Sequence, residues 1–166
     1  MPEKKTIEAA ARDRRQGKSP STQAGEFVRE EIHHVREGQH GARSSKQAIA
    51  IGLAKARRAG VALPPPEKGK GSAETREHAK RDVAAGKHPR RKVSAARSRA
   101  TRSELKREGK SAASHTALAR QAHSAAKKRT AGERSAAARK AARTKGPAKR
   151  SAAARKAART RAAHRR

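Results

Sequence analysis

The sequence predicts a mainly α fold, a small helical hairpin followed by a long, basic, largely disordered or nascent-helical tail, on three observations. Two segments, residues 19–38 and 44–60, each carry a helix start, an apolar stripe and a glycine stop. Charge then shifts at Pro64-Pro65-Pro66: residues 1–66 hold 13 Lys/Arg and 7 Asp/Glu, whereas residues 67–166 hold 32 and 7. Finally, Glu133 is the last acid; the 33 residues after it carry 13 Lys/Arg, and the string RSAAARKAART occurs there twice, at 134–144 and 150–160. We therefore expect a hairpin domain over 1–66 and a low-complexity tail over 67–166.

The elements follow in order. Residues 6–16 form a short helix candidate with Glu8 and Arg12 spaced i,i+4, but with almost no apolar face, so it is expected to fray. Ser19-Pro20 is an N-cap with proline in the first turn, and Gly38 is the stop after Glu37. Between them Val28, Ile32 and Val35 repeat at i, i+4, i+7, with Phe27 alongside. Glu26, Glu30, Glu31 and Glu37 make this helix acidic, so it is expected to stay off phosphates. The next helix opens on a Ser44-x-x-Gln47 capping box and closes at Gly60. Ile49, Leu53 and Ala56 form its stripe, with Ala48 and Gly52 beside it and Val61 and Leu63 folding back past the glycine. Lys46, Lys55, Arg57 and Arg58 make it the basic partner.

A hairpin of this size has a thin core. A homodimer through Phe27, Val28, Ile32 and Val35 with Ile49 and Leu53 would complete it, and the sequence leaves monomer and dimer both open. Beyond Pro66 three alanine-rich basic segments, 72–85, 93–108 and 111–130, have one or two large apolar residues each (Val83; Val93 and Leu105; Leu118). They read as nascent helices without tertiary packing.

Composition excludes much. The chain has 166 residues and a net charge of +31, with Phe27 its only Phe, Tyr or Trp and no cysteine. That removes disulfides, thiolate metal sites and cysteine nucleophiles. No apolar run is long enough to span a membrane, and the N-terminal residues lack a secretion-signal h-region. His33 and His34 lie near Glu30 and Glu37, and His40, His78, His88, His115, His123 and His164 are scattered without ligand spacing, so no metal is expected. Ser103-Glu-Leu-Lys106 and Gly109-Lys110-Ser111 match catalytic or phosphate-loop motifs in letters only, and Pro89-Arg90-Arg91-Lys92 reads as a chance basic run. No nucleophile, base and orienting group can be named together, so neither an enzyme nor a cofactor is expected.

The tail carries the chemistry. On a helix Arg155, Arg159 and Lys156 fall at about 0°, 40° and 100°, one basic arc. Arg139, Arg143 and Lys140 form the same arc in the first copy. Arg134, Lys145, Lys149 and Arg150 extend the charge around them, and Gly146-Pro147 puts a bend between the copies. Arginines at i,i+4 repel one another, so phosphate is expected to drive coil-to-helix folding. Such cations give affinity without base readout. The lack of aromatics weighs against single-strand stacking and favours duplex DNA over RNA.

Two resemblances add to this. The block Ser19-Pro-Ser-Thr-Gln-Ala-Gly-Glu-Phe-Val-Arg-Glu-Glu-Ile32, with His40-Gly-Ala-Arg-Ser-Ser-Lys-Gln-Ala-Ile-Ala-Ile-Gly-Leu-Ala-Lys-Ala-Arg-Arg-Ala-Gly60, resembles a family of small basic bacterial proteins known as a domain of unknown function. It covers about residues 1–66, implies a bacterial source and brings no functional residues. Residues 110–166 are similar in style to bacterial histone-like tails and linker-histone C-termini, without their Pro-Lys-Lys or Arg-Gly-Arg-Pro signatures. That likeness implies DNA compaction by analogy. The expectation is a cytoplasmic, nucleoid-associated, histone-like DNA-binding protein. The alternatives are an adaptor whose hairpin binds a protein partner while the tail tethers it, and an RNA- or ribosome-associated protein.

Overall fold

In the computed structural model, which describes residues 2–88 and 94–163, the chain is helical throughout its ordered elements. The expectations for Pro89-Arg90-Arg91-Lys92, Val93 and His164 lie outside the described residues. The helices are α1 (Lys4–Arg15), α2 (Pro20–Glu37), α3 (Ser45–Arg58), α4 (Ala73–Lys87), α5 (Ala95–Arg107), α6 (His115–Lys127) and α7 (Ala131–Ala163), with a 3-10 turn at Ser111–Ala113. No helix among the described residues is long and apolar enough to cross a membrane. The chain divides into two compact units, Met1–Gln121 and Ala122–Arg166.

In the first unit α2 packs on both α1 and α3, and α4 packs on α3, while the 3-10 turn contacts both α2 and α3. The hairpin punctuation is as the residues predict. Gly38 closes α2 in the left-handed conformation at φ 80°. Ser44 Oγ accepts from the Gln47 amide at 3.2 Å, and Gln47 Oε1 accepts from the Arg43 amide at 2.8 Å. After α3 the amides of Gly60 and Val61 return to the carbonyls of Arg57 and Ala56, a Schellman closure that brings Val61 and Leu63 onto the core.

The expected stripe is in the core, with Ile32 and Val35 buried and Val28 partly covered against them, but the buried face of α2 is wider: Phe27, Glu31 and Val35, at i, i+4 and i+8, are its largest fully buried side chains. A glutamate occupies the middle of the apolar face because Lys55 of α3 meets it, Nζ lying 2.6 Å from Glu31 Oε2 and 3.5 Å from Glu30 Oε1. The facing stripe on α3 is also different. Ala48, Gly52 and Ala56 form a seam of small residues, and Ile49 and Leu53 sit half-buried beside it. The seam lets the two backbones approach: a Cβ on Gly52 would stand 2.7 Å from Val28 Cα. Gly52→Ala should therefore destabilise the fold by about 1–3 kcal/mol through overpacking. An exposed helix glycine would instead gain up to about 1 kcal/mol from the same change. A urea midpoint that rises on this substitution would show that the helices do not meet here.

Several segments expected to lack packing have it. α1 does not fray: Ala10 joins Ala24, Phe27 and Ala56 in one apolar cluster, and buried Asp13 pairs with Lys18 at 2.6 Å. Glu8 faces Lys4, at 4.0 Å, rather than Arg12. α4 runs through Gly86 to Lys87, is capped by Ser72, and buries Ala79 and Asp82. Ala112, Ala113 and Leu118 complete a second cluster with Ile32, Val35, Ala42 and Ala48. The sequence pattern missed these contributions because alanine carries little periodic signal although it fills a close-packed seam. The compositional edge at Pro64–Pro66 is thus not the edge of the compact unit. Of the apolar residues through which a second copy could dock, Phe27, Ile32 and Val35 are buried within the chain, and Val28, Ile49 and Leu53 are half-buried. Phe27 is 1% exposed, and Ile7 is the large apolar side chain left exposed among the described residues.

In the second unit α7 is a helix, so residues 131–163 are neither disordered nor nascent. Each repeat has five alanines, with Arg and Lys next in helix propensity. Against that, an i,i+4 arginine pair costs only about 0.2–0.5 kcal/mol. Propensity wins, and helix formation there does not wait for phosphate. The helix opens on a reciprocal capping box: the Glu133 amide donates to Thr130 Oγ1 at 3.2 Å, and the Thr130 amide donates to Glu133 Oε2 at 2.8 Å. The last acid of the chain is thus a helix-start residue.

Candidate nucleic-acid interface

Arg134, Arg139, Lys140, Arg143, Lys145, Lys149, Arg150, Arg155, Lys156 and Arg159 are all exposed on α7. The two copies of the repeat adopt the same local structure, down to the back-bond from each terminal threonine: Thr144 Oγ1 to the Lys140 carbonyl at 2.9 Å, and Thr160 Oγ1 to the Lys156 carbonyl at 3.1 Å. Arg139 and Arg143 stand about 6 Å apart along the axis. Phosphates recur every 3.4 Å of duplex axis on one strand. The pair therefore suits alternate phosphates within side-chain reach.

The copies are 16 residues apart, and a straight helix would turn by about 160° over that distance. Their basic arcs would then face nearly opposite ways. Gly146 interrupts that straight path: its φ of 65° and ψ of 168° break the helix, and Pro147 starts the second half. An L side chain resists this φ, and a proline disfavours helical backbone in the residue before it. Replacing both, as Gly146→Ala with Pro147→Ala, should fuse the halves into one straight helix with opposed arcs. The salt-dependence slope for a single duplex should then lose roughly 4 units, since one arc disengages. Isothermal titration at several salt concentrations reads this directly.

The four cations of α3 divide. Lys46 is exposed and lines a cleft of about 670 Å³ with Arg43 and Arg120. The cleft lies beside the N-terminus of α3 and that of α6, where Ser114 Oγ accepts from the Ala117 amide at 3.2 Å. Three cations and two helix N-termini are a suitable receptor for one phosphate group. Lys55, by contrast, is taken up by Glu30 and Glu31. Arg57 is 8% exposed and donates to the Leu63 and Pro64 carbonyls at 3.3 and 3.4 Å, tying down the start of the proline segment. Burial lowers the pKa of its guanidinium, with Asp82 opposing that shift. Arg58 pairs with Asp82 at 2.7 Å. Lys55 and Arg57, read from sequence as phosphate contacts, are taken up within the fold, whereas Arg58 pairs with Asp82 while its side chain stays exposed. Arg43 and Arg120 were not anticipated. No local motif signals them, since they meet through the fold.

The structure also gathers three residues that sequence spacing did not connect. Glu31, His34 and His40 each offer a ligand atom, all within 4.8 Å of one another. His34 Nε2 is 3.0 Å from Glu3 Oε1, and that hydrogen bond is the main cause holding the Glu3 carboxyl below its usual range. Phe27, the sole Phe, Tyr or Trp, is buried, so no such ring is offered to a nucleobase.

No family model, curated protein or solved structure matches the chain. The functional reading therefore rests on the residues themselves.

Proposed function

We propose that the chain binds duplex DNA without strong sequence preference and compacts it, as a histone-like, nucleoid-associated protein. The observation that carries this reading is α7: a solvent-exposed helix with two identical basic arcs, a bend between them and no acid after Glu133. Arginine and lysine so placed neutralise phosphates and release condensed counterions, which supplies affinity independent of base sequence. A bend between the two arcs suits wrapping around a curved polyanion. The Arg43, Lys46 and Arg120 cleft offers a further phosphate contact on the first unit. Duplex is favoured over single strands because no exposed Phe, Tyr or Trp supports stacking.

Gel shifts with the full chain and with a chain ending at Thr130 test the reading, using duplex DNA and structured RNA at one salt concentration. Loss of most affinity on removing α7, with duplex DNA the tighter ligand, is expected. Equal affinity without α7 would overturn the proposal, and tighter binding of RNA would reassign the polyanion.

A further inference from the structure

We propose that Glu31, His34 and His40 form a binding site for a divalent transition-metal ion, zinc(II) by the chemistry of its donors. Glu31 and His34 are spaced i,i+3 on α2 and so share a face. His40 comes back to them from the loop that Gly38 opens. Two imidazole nitrogens and one carboxylate oxygen are a donor set suited to zinc and poorly suited to magnesium or calcium.

The distances fit. Two ligands on a tetrahedral zinc lie about 3.3 Å apart, since each bond is about 2.0–2.1 Å. Glu31 Oε1 and His40 Nε2 are already 3.2 Å apart, and the third ligand atom lies within 4.8 Å of both. Three protein ligands leave one coordination position for water.

The hydrogen bonds around the rings set their tautomers toward this use. His40 Nδ1 is 3.0 Å from the Gly41 carbonyl, which can only accept, so Nδ1 carries the proton. In the neutral ring Nε2 then directs a lone pair at Glu31 Oε1, which also has only lone pairs. A cation between them turns that opposition into two bonds. Glu3 Oε1 holds the His34 ring through Nε2, the carboxylate–histidine arrangement that orients a metal-binding imidazole.

Glu31 supplies an independent sign. It is 0% exposed, and neither carboxylate oxygen has a partner of hydrogen-bond geometry, Lys55 and His40 notwithstanding. Lys55, the cation that meets this carboxylate, is shared with Glu30, so the hydrogen bonds that would offset its burial are not made. Three carboxylates, Glu3, Glu30 and Glu31, gather around the site, where Lys55 lies against Glu30 and Glu31. The Glu3 side chain is 54% exposed, so an ion can enter past it.

The test uses the full chain after chelator treatment, with Co(II) as a spectroscopic probe and Zn(II) in calorimetry. One Co(II) per chain, with visible ligand-field absorption that Zn(II) abolishes, is expected, and Zn(II) should raise the unfolding midpoint. His40→Gln and Glu31→Gln should each remove the stoichiometric site, while Glu3→Gln should weaken it roughly 10–100-fold. His33→Ala, exposed on the same helix, should change nothing. If Glu31→Gln lowers helical circular dichroism, the His40→Gln result decides alone. Absence of saturable binding, or stoichiometric binding that survives His40→Gln, overturns the site.

Discussion

Raising sodium chloride from 50 to 200 mM should weaken binding of the full chain to duplex DNA by roughly 10⁵-fold. The figure follows from counterion release. α7 carries eleven Lys/Arg between residues 131 and 163, all exposed. If about 10 phosphates are neutralised, the slope of log K against log salt is about −9, and a fourfold rise in salt compounds accordingly. A chain ending at Thr130 keeps the Arg43, Lys46 and Arg120 cleft but loses both repeats. With about one phosphate neutralised in that cleft its slope should be near −1, and the same change in salt should cost roughly 3–4-fold. Fluorescence anisotropy on a labelled duplex measures both slopes. A full-length slope no steeper than the truncated one would mean that the repeats do not lie on phosphate.

The second large effect concerns stability. Lys55→Ala should destabilise the first unit by about 3–5 kcal/mol, because it strands Glu31 in the middle of the buried face of α2. Small domains hold only about 5–15 kcal/mol in total, so much of the molecule should unfold at ordinary temperature. Combining Lys55→Met with Glu31→Gln should recover most of the loss, since no charge is then left unpaired. Urea titration followed by circular dichroism separates the single from the double variant. A single variant costing under about 1 kcal/mol would place the pair in solvent rather than in the core.

The hairpin was legible because its punctuation is local. Ser44 with Gln47, Gly38 and Gly60 each act within a turn, and the helices end where those residues say. The buried face of α2 is wider than its apolar stripe. Apolar periodicity selects Val28, Ile32 and Val35 and passes over Glu31, because the cationic partner that accompanies Glu31 inside, Lys55, lies 24 positions away. The same distance effect hid the pairing of Lys55 with the acids of α2. α4 and the 3-10 turn were invisible as packing elements because Ala79, Ala112 and Ala113 read as low-complexity filler. At the basic end the expectation of disorder weighed charge repulsion too heavily against alanine. A Thr-x-x-Glu signature at Thr130 and Glu133 was there to be read. The repeat cations were legible because they lie exposed on α7 and no acid follows Glu133 in the sequence.

The duplication in α7 has a kinetic consequence. Two equal grips on either side of a bend need not release together, and while one is detached the other keeps it at high local concentration. A rival strand can take the vacant grip before it closes again. If the chain binds duplex DNA as proposed, residence on a given stretch should then depend on how crowded the surroundings are, and the protein should migrate hand over hand without passing through free solution.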